Sequence, residues 1–403
     1  MSISPSAAGC ADRDARWRVI VAGICSLILT VGLARFAYTP MLPLMRADAG
    51  LSVLAGGWLA TFNYAGYMSG ALIASVTRDL GRKFLFYRAG LLVALFSTAA
   101  MGLTQDVVLW SVLRFVSGMS STAGLLLASG LVMNWLMRQG HRSELGVHFA
   151  GIGLGVAVSG LAVLAMSALG LAWDGQWLGL GLLGAAFFVP AWIWMPAPCA
   201  AGGTPAHGAT AAPSRRWMAL MVAVYFCAGF GYVVSATFIV AIVEKLPLLA
   251  GRGGWVWVIV GLAATPSSFL WDRVAARLGQ IGALALAFVL QIVSIVLPAV
   301  SDGAAANLLS AVLYGSTFVG IVSLTLSLVG RCYPANPAKA MARLTLSYGV
   351  AQIVAPAMAG YIAAATGSYR GALVVAAWAM AAGVLLLYAL ARQQRAEEAA
   401  RIG

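Results

Sequence analysis

The sequence predicts an all-α membrane protein with twelve transmembrane helices in two pseudo-symmetric six-helix bundles. Three observations predict it. Hydrophobic residues make up 62% of the 403 positions and charged residues 9%, whereas a soluble globular chain is about 25% charged. Apolar runs recur along the whole chain at near-regular spacing. Lysine and arginine fall almost wholly in alternate connections between those runs.

The runs cover 18–44, 54–77, 84–104, 107–135, 145–168, 173–195, 217–243, 254–271, 281–300, 305–330, 341–365 and 371–391. Each approaches or exceeds the roughly 20 residues needed to cross a hydrocarbon core. The first is too long for a signal peptide and lacks a small-residue cleavage site, so it reads as a retained span. The 46 glycines suit close packing of helices in lipid. The longest polar stretch, 196–216, is rich in Ala, Gly, Pro and Thr. It reads as a flexible cytoplasmic linker between an N-terminal bundle, 1–195, and a C-terminal bundle, 217–403.

With the N-terminus inside, 19 Lys and Arg lie in cytoplasmic segments, and only Arg46, Lys245, Arg252 and Arg370 lie opposite. The positive-inside rule then puts both termini in the cytoplasm, which requires an even number of spans. The expected location is a bacterial inner (plasma) membrane. The net charge of +13 is spread over short loops rather than gathered as a basic stripe, so nucleic acid is not an expected partner. The five cysteines are scattered and read as free thiols. No catalytic dyad, metal cluster or nucleotide loop appears, so neither an enzyme nor a primary pump is expected, and no cofactor or metal.

Arg35 stands out. It lies about 25 Å along the first run at 1.5 Å per residue, too deep to snorkel out, where an arginine costs from ~3 to more than 10 kcal/mol in lipid. It should face a watered, protein-lined cavity. Arg114 lies about 12 Å into the fourth run, in a similar layer. All twelve acids fall in loops or at run ends, so neither arginine has a buried carboxylate partner by sequence. A guanidinium suits carboxylate or phosphate because its planar fork donates two parallel hydrogen bonds. Tyr38, Asn63, Tyr67, Tyr232, Thr237, Tyr348 and Gln352 are polar or aromatic groups on helix faces, and join the two arginines as candidate substrate-binding residues. Tyr64 and Tyr225 share those stretches. Such groups serve equally well as hydrogen bonds between helices. His148 is the one histidine inside a run, and is the proton-coupling candidate; Glu144 and Glu244 sit at run edges.

A repeat is visible. Arg78-Asp79-Leu80-Gly81-Arg82-Lys83 follows the second run, and Asp272-Arg273-Val274-Ala275-Ala276-Arg277-Leu278-Gly279 follows the eighth. Gly32, Arg35 and Tyr38 in the first run parallel Gly229, Gly231, Tyr232 and Thr237 in the seventh. Repeats of six spans with the chemistry between them are a transporter signature.

At this point the chain resembles the major facilitator superfamily (MFS). The first loop resembles that family's Gly-x-x-x-Asp-Arg-x-Gly-Arg-Arg/Lys gating motif, with Gly81, Arg82 and Lys83 in place and Arg78-Asp79 in reversed order. Arg114-Phe115-Val116-Ser117-Gly118 matches its Arg-x-x-x-Gly motif. The stretch from Tyr348 through Gln352, Pro356 and Gly360 to Ser368 looks like its usual eleventh span. Arg35 through Pro40, Gly229 through Tyr232 and Gly151 through Gly155 together are similar to the YbfB/YjiJ-type branch. The fifth span lacks the Gly-Pro pair usual in the family's antiporters. The resemblance implies gating by Asp79, Arg82, Lys83, Asp272, Arg273 and Arg277, and a central site between the bundles.

The expected function is a secondary active transporter, working as a monomer, that moves a small polar or anionic organic solute by alternating access. The alternative is a proton-coupled efflux antiporter for drugs or metabolites. A non-transporting membrane receptor or scaffold is the rival of another class.

Overall fold

The computed structural model describes residues 5–77, 79–139, 145–198, 213–246, 251–333 and 337–402. Most of the expected linker, together with Arg78 and Arg142, lies outside the described residues. Twelve helices carry the fold among the described residues: α1 Asp14–Asp48, α2 Val53–Val76, α3 Leu80–Leu103, α4 Val107–Arg138, α5 Gly146–Ala168, α6 Trp173–Trp194, α7 Arg215–Val243, α8 Gly253–Ala264, α9 Ser267–Val300, α10 Ala304–Cys332, α11 Ala340–Thr366 and α12 Arg370–Gln394. In lipid a helix is the simplest way to satisfy every backbone N–H and C=O within the segment. Ser52, Asp79, Asp106 and Ser214 cap the starts of α2, α3, α4 and α7 by accepting a backbone N–H three residues on. Leu182, Trp378 and Leu385 are among many large apolar side chains that face outward, as a lipid-facing surface requires.

Ten of the helices are long and apolar enough to cross a membrane. The other two explain themselves. At 24 residues α2 is long enough, but it carries Thr61, Asn63, Tyr64 and Tyr67. The expected eighth and ninth spans divide differently from the apolar runs. Pro266 has no N–H to give, and α8 stops just before it at Ala264. The helix resumes as α9, which bends at Gly279, where φ is 74° and ψ 165°. That backbone conformation is open to glycine at no steric cost. The eighth crossing is therefore α8 plus the first part of α9, and the ninth is the remainder of α9.

Glycines set the closest helix approaches. Gly66 of α2 lies on the backbone of Phe115, and Gly118 of α4 lies on the backbone of Asn63. Gly32 of α1 meets Gly155 of α5. Residues four apart share a helix face, so Gly151 and Gly155 both face α1, while Gly153 turns to Gly261 of α8 and to Thr265 just after it. The first and second six helices thus meet through α5 against α8, through α2 against α11, where Gly57 lies on Gly360, and through α1 against α7.

Gly118→Ala should push α4 off α2, because a Cβ there lands on the Asn63 carbonyl. We expect a loss of about 1–3 kcal/mol, read as a lower melting temperature in detergent. Gly130→Ala, with nothing within 4 Å, should leave melting unchanged or raise it; equal effects from the two would refute this packing.

Candidate functional site

The site begins with an irregularity in α1. Residues Ile28–Phe36 form a π-helix, closed by the Ala37 N–H donating to the Gly32 carbonyl at 2.9 Å. Such wide turns are uncommon and recur at functional sites. Three residues later Pro40 withholds an N–H from the same region. Carbonyls left short of donors inside a membrane must find them elsewhere, and α4 supplies them. Arg114 Nη1 donates to the Ala34 carbonyl at 2.9 Å and Nη2 to the Arg35 carbonyl at 3.2 Å. Ser117 Oγ donates to Ala34 at 2.6 Å, and Ser121 Oγ to Thr30 at 3.0 Å. The Arg114 guanidinium lies 4.5 Å from the centre of the Tyr38 ring, and the Tyr38 hydroxyl donates to the Gly56 carbonyl at 2.8 Å. Asn63 Nδ2 donates to the Arg114 carbonyl at 2.9 Å. Arg114, Tyr38 and Asn63 thus brace α1, α2 and α4 together.

Arg35 is different. Only 4% of it is exposed, and it meets ring faces. Its guanidinium carbon lies 4.5 Å from the Tyr64 ring centre, 4.6 Å from Tyr67 and 5.5 Å from Phe36. Cation–π contact of this kind is worth roughly 0.5–2 kcal/mol each. Among the described residues its Nε has no hydrogen-bond acceptor, and no carboxylate pairs with the guanidinium. The structure therefore brings the two arginines into one layer and separates their roles, one bonded to backbone and the other held only by aromatic faces.

The second six helices present rings to the same place. Tyr232 and Tyr348 lie within electrostatic reach of Arg35. Tyr225 and Tyr348 stack at 4.4 Å between centres, Tyr348 and Tyr232 at 5.7 Å, and Tyr232 and Phe318 at 5.6 Å. The repeat is visible here as chemistry. Arg114 on α4 donates to the carbonyl of Arg35, 79 residues earlier, and the Tyr314 hydroxyl on α10 donates to the carbonyl of Tyr232, 82 residues earlier, at 3.2 Å. The same brace recurs, charged in one half and neutral in the other.

The remaining candidates are dispersed. Gln352 is buried one turn beyond Tyr348, its Oε1 without a hydrogen-bond partner among the described residues. The Thr237 hydroxyl returns to its own helix at the Val233 carbonyl. His148 is fully buried among α1, α4 and α5, with Nε2 2.8 Å from Ser129 Oγ and Nδ1 against Gly23. Gly23 is twelve residues from Arg35, or about 18 Å along α1. Asp79 caps α3 through the Arg82 N–H. Asp272, Arg273 and Arg277 are exposed.

On the side that carries the basic loops, α2, α4 and α11 part around a cavity of about 400 Å³ lined by Met68, Ala71, Lys83, Asn134, Met341 and Thr345, among others. Met68 closes its inner end, seated on the bare Cα of Gly349. Tyr67 and Tyr348, the residues just before these two, belong to the Arg35 cluster. On the other side the halves are joined. Thr39 Oγ1 donates to the Ala236 carbonyl at 2.6 Å and Thr61 Oγ1 to Ile353 at 3.0 Å. In the connection before α12, burial raises the Tyr369 phenol above its ordinary pKa, with Arg46 of α1 opposing.

Sequence reasoning missed Tyr314, Phe318 and the donors Ser117 and Ser121. The available signal was spacing: Tyr314 and Phe318 sit one turn apart on one face of α10, as do Ser117 and Ser121 on α4.

Arg114→Met should lower thermal stability in detergent by about 1–3 kcal/mol, since it strands the buried Arg35 carbonyl while Ser117 still serves Ala34. Arg35→Met removes a buried unpaired charge and should melt at or above wild type. The reverse order would overturn the division of roles.

The profile of the family described as "Uncharacterised MFS-type transporter YbfB" matches residues 27–388. Among solved structures the chain is similar to the crystal structure of nucleoside transporter NupG. A point mutant of that protein superposes with TM-score 0.73 at 12% identity, over 93% of this chain and 99% of that one. The unmutated form gives 0.70 at 13%, over 93% and 98%. At such identity the likeness is one of fold. No curated protein matches by sequence. With twelve helices, the repeated brace and a profile match over most of its length, the chain belongs to the YbfB-type family of MFS transporters, a multi-pass membrane protein.

Proposed function

We propose that this protein is a secondary active transporter that carries a small organic anion across the bacterial inner membrane by alternating access, with Arg35 as the anion anchor. One observation carries the reading: a guanidinium, almost fully buried between two six-helix halves, held by tyrosine faces and lacking a carboxylate. A permanent cation in such a place is expensive unless an anion visits it. A carboxylate would accept the parallel N–H pair that the ring faces leave unused. The neighbouring fold is that of a nucleoside transporter, but a nucleoside has no net charge and would leave the Arg35 charge uncompensated.

The two halves, 1–195 and 217–403, rock about the Arg35 layer. With both termini in the cytoplasm, as the loop charges support, the cavity beneath Met68 faces inward and the joined α1–α7 and α2–α11 contacts face outward. Asp79, Arg82, Lys83, Asp272, Arg273 and Arg277 lie on the inner side, where closure of the cavity would bring basic loops together. The proton-coupled efflux alternative draws no support from His148, which is packed within the first half away from Arg35.

The test is a thermal-shift and proteoliposome-uptake screen of small carboxylates beside their neutral amides. At least one acid should protect the protein and its amide should not. Arg35→Lys keeps the charge and loses the fork, and one charge-assisted hydrogen bond of about 1.5–3 kcal/mol corresponds to about ten- to a hundredfold in affinity. Amides that protect as well as acids, or an Arg35→Lys protein that binds like wild type, would refute the anion reading.

A further inference from the structure

A helix end leaves its last carbonyls without a helical donor, and at the end of α6 one of them is served from outside. The Tyr87 hydroxyl on α3 donates to the Ala191 carbonyl at 2.7 Å and lies 2.7 Å from Ser26 Oγ on α1. Three helices of the first half are thereby tied together on the side that carries the basic loops. The residues next in line on α3 and α6 are Arg88 and Trp192, and the tie sets them side by side. The Arg88 guanidinium carbon lies 4.5 Å from the Trp192 ring centre and 4.7 Å from that of Phe84, one turn earlier on α3. Both rings have supports of their own. Phe84 stacks on Tyr87 at 6.1 Å between centres, and Trp192 on Phe188 at 5.2 Å.

Ring faces attract the charge but take none of the N–H donors in the plane of the guanidinium. Among the described residues Arg88 Nε has no hydrogen-bond acceptor, and no carboxylate pairs with the side chain. The clamp opens on the outer wall of the bundle. Leu85, Phe86 and Ala89 beside Arg88, and Val189 and Ile193 beside Trp192, are exposed and apolar. Trp192 stands two residues before the end of α6 at Trp194, or about 3 Å along the axis. That is the level at which tryptophan rings meet lipid headgroups. A half-buried arginine held flat at this level presents its planar fork to phosphate. The clamp residues Phe84, Tyr87, Arg88, Phe188 and Trp192 include no acid to receive a headgroup amine. Arg392 offers a contrast, since its guanidinium lies over one ring, Tyr388, at 4.7 Å.

We infer that Arg88, Phe84 and Trp192 form a binding site for the phosphate of an anionic phospholipid in the cytoplasmic leaflet. Basic pockets between helices on that side of a membrane suit such headgroups. The inference rests on the orientation given by the loop charges and is independent of the anion reading of Arg35.

Titration of the purified full-length protein in detergent with dioleoyl phosphatidylglycerol or dioleoyl phosphatidylethanolamine, read by native mass spectrometry, tests the site. The first phosphatidylglycerol should bind about tenfold more tightly than the first phosphatidylethanolamine, a difference of one charge-assisted hydrogen bond. Arg88→Gln should abolish that preference, and Arg392→Gln should keep it. Arg88→Lys, which retains the charge and loses the fork, should weaken the preference severalfold, and it decides the matter should the glutamine variant not fold. Equal binding of the two lipids by the wild-type protein, or a preference that survives Arg88→Gln, would overturn the inference. Full displacement of phosphatidylglycerol by millimolar inorganic phosphate would mark a site for free anions and overturn the assignment to lipid.

Discussion

A single positive charge, almost fully buried and with no carboxylate paired to it among the described residues, organises this protein. The Arg35 guanidinium lies against the faces of Tyr64, Tyr67 and Phe36. Ring faces attract a cation but accept no strong hydrogen bond, so they offset part of the desolvation cost and leave the directional donors unspent. The surroundings follow from holding that arrangement steady. The π-helix gives α1 its irregular turn, Arg114 and the α4 serines satisfy the carbonyls around that turn, and Asn63 links α4 to α2, the helix that carries the two tyrosines.

The two halves solve one structural problem with different chemistry. Each has a side chain from its fourth helix reaching a carbonyl of its first, Arg114 to Arg35 and Tyr314 to Tyr232. An arginine brace brings a second charge into the first half, so that half is the electropositive wall of the interface. A tyrosine brace adds a ring instead, and the second half becomes the flat, neutral wall. The asymmetry of the interface thus follows from which side chain serves as the brace in each half.

Much of the fold was legible because lipid imposes simple rules on sequence. Run length and loop charge suffice for helix number, and the loop motifs after the second and eighth runs with Arg114-x-x-x-Gly118 point to the superfamily. The exception is instructive: the apolar run 254–271 continues through Pro266, where the helix breaks, because hydropathy is blind to a missing N–H. The site was legible in depth but not in direction. Counting residues places Arg35 and Arg114 in one layer, yet whether a guanidinium meets a ring or a carbonyl depends on how α1 is rotated, and the π-helix changes that rotation. Asn63 and Tyr38 likewise look like cavity groups in sequence, since an amide or a phenol that binds a backbone carbonyl is indistinguishable there from one that binds a ligand. Tyr314 and Phe318 stayed hidden because their importance comes from stacking on α7, a relation across 82 residues.

The glycine contacts between the halves have a mechanical consequence. Helices that pack ridges into grooves meet as corrugated surfaces, and moving one past another means climbing out of a groove and falling into the next, a turn away. Where Gly57 rests on Gly360 and Gly153 on Gly261, backbone lies on backbone and the corrugation is nearly gone. Such surfaces behave as low-friction bearings, on which displacements of a fraction of a turn trap no side chain in a strained rotamer. The side-chain contacts that interlock across the interface are local, among them Thr39 on Ala236, Thr61 on Ile353 and Met68 on Gly349. If the halves rock as proposed, a joint made this way would stay closed to water and ions while they move.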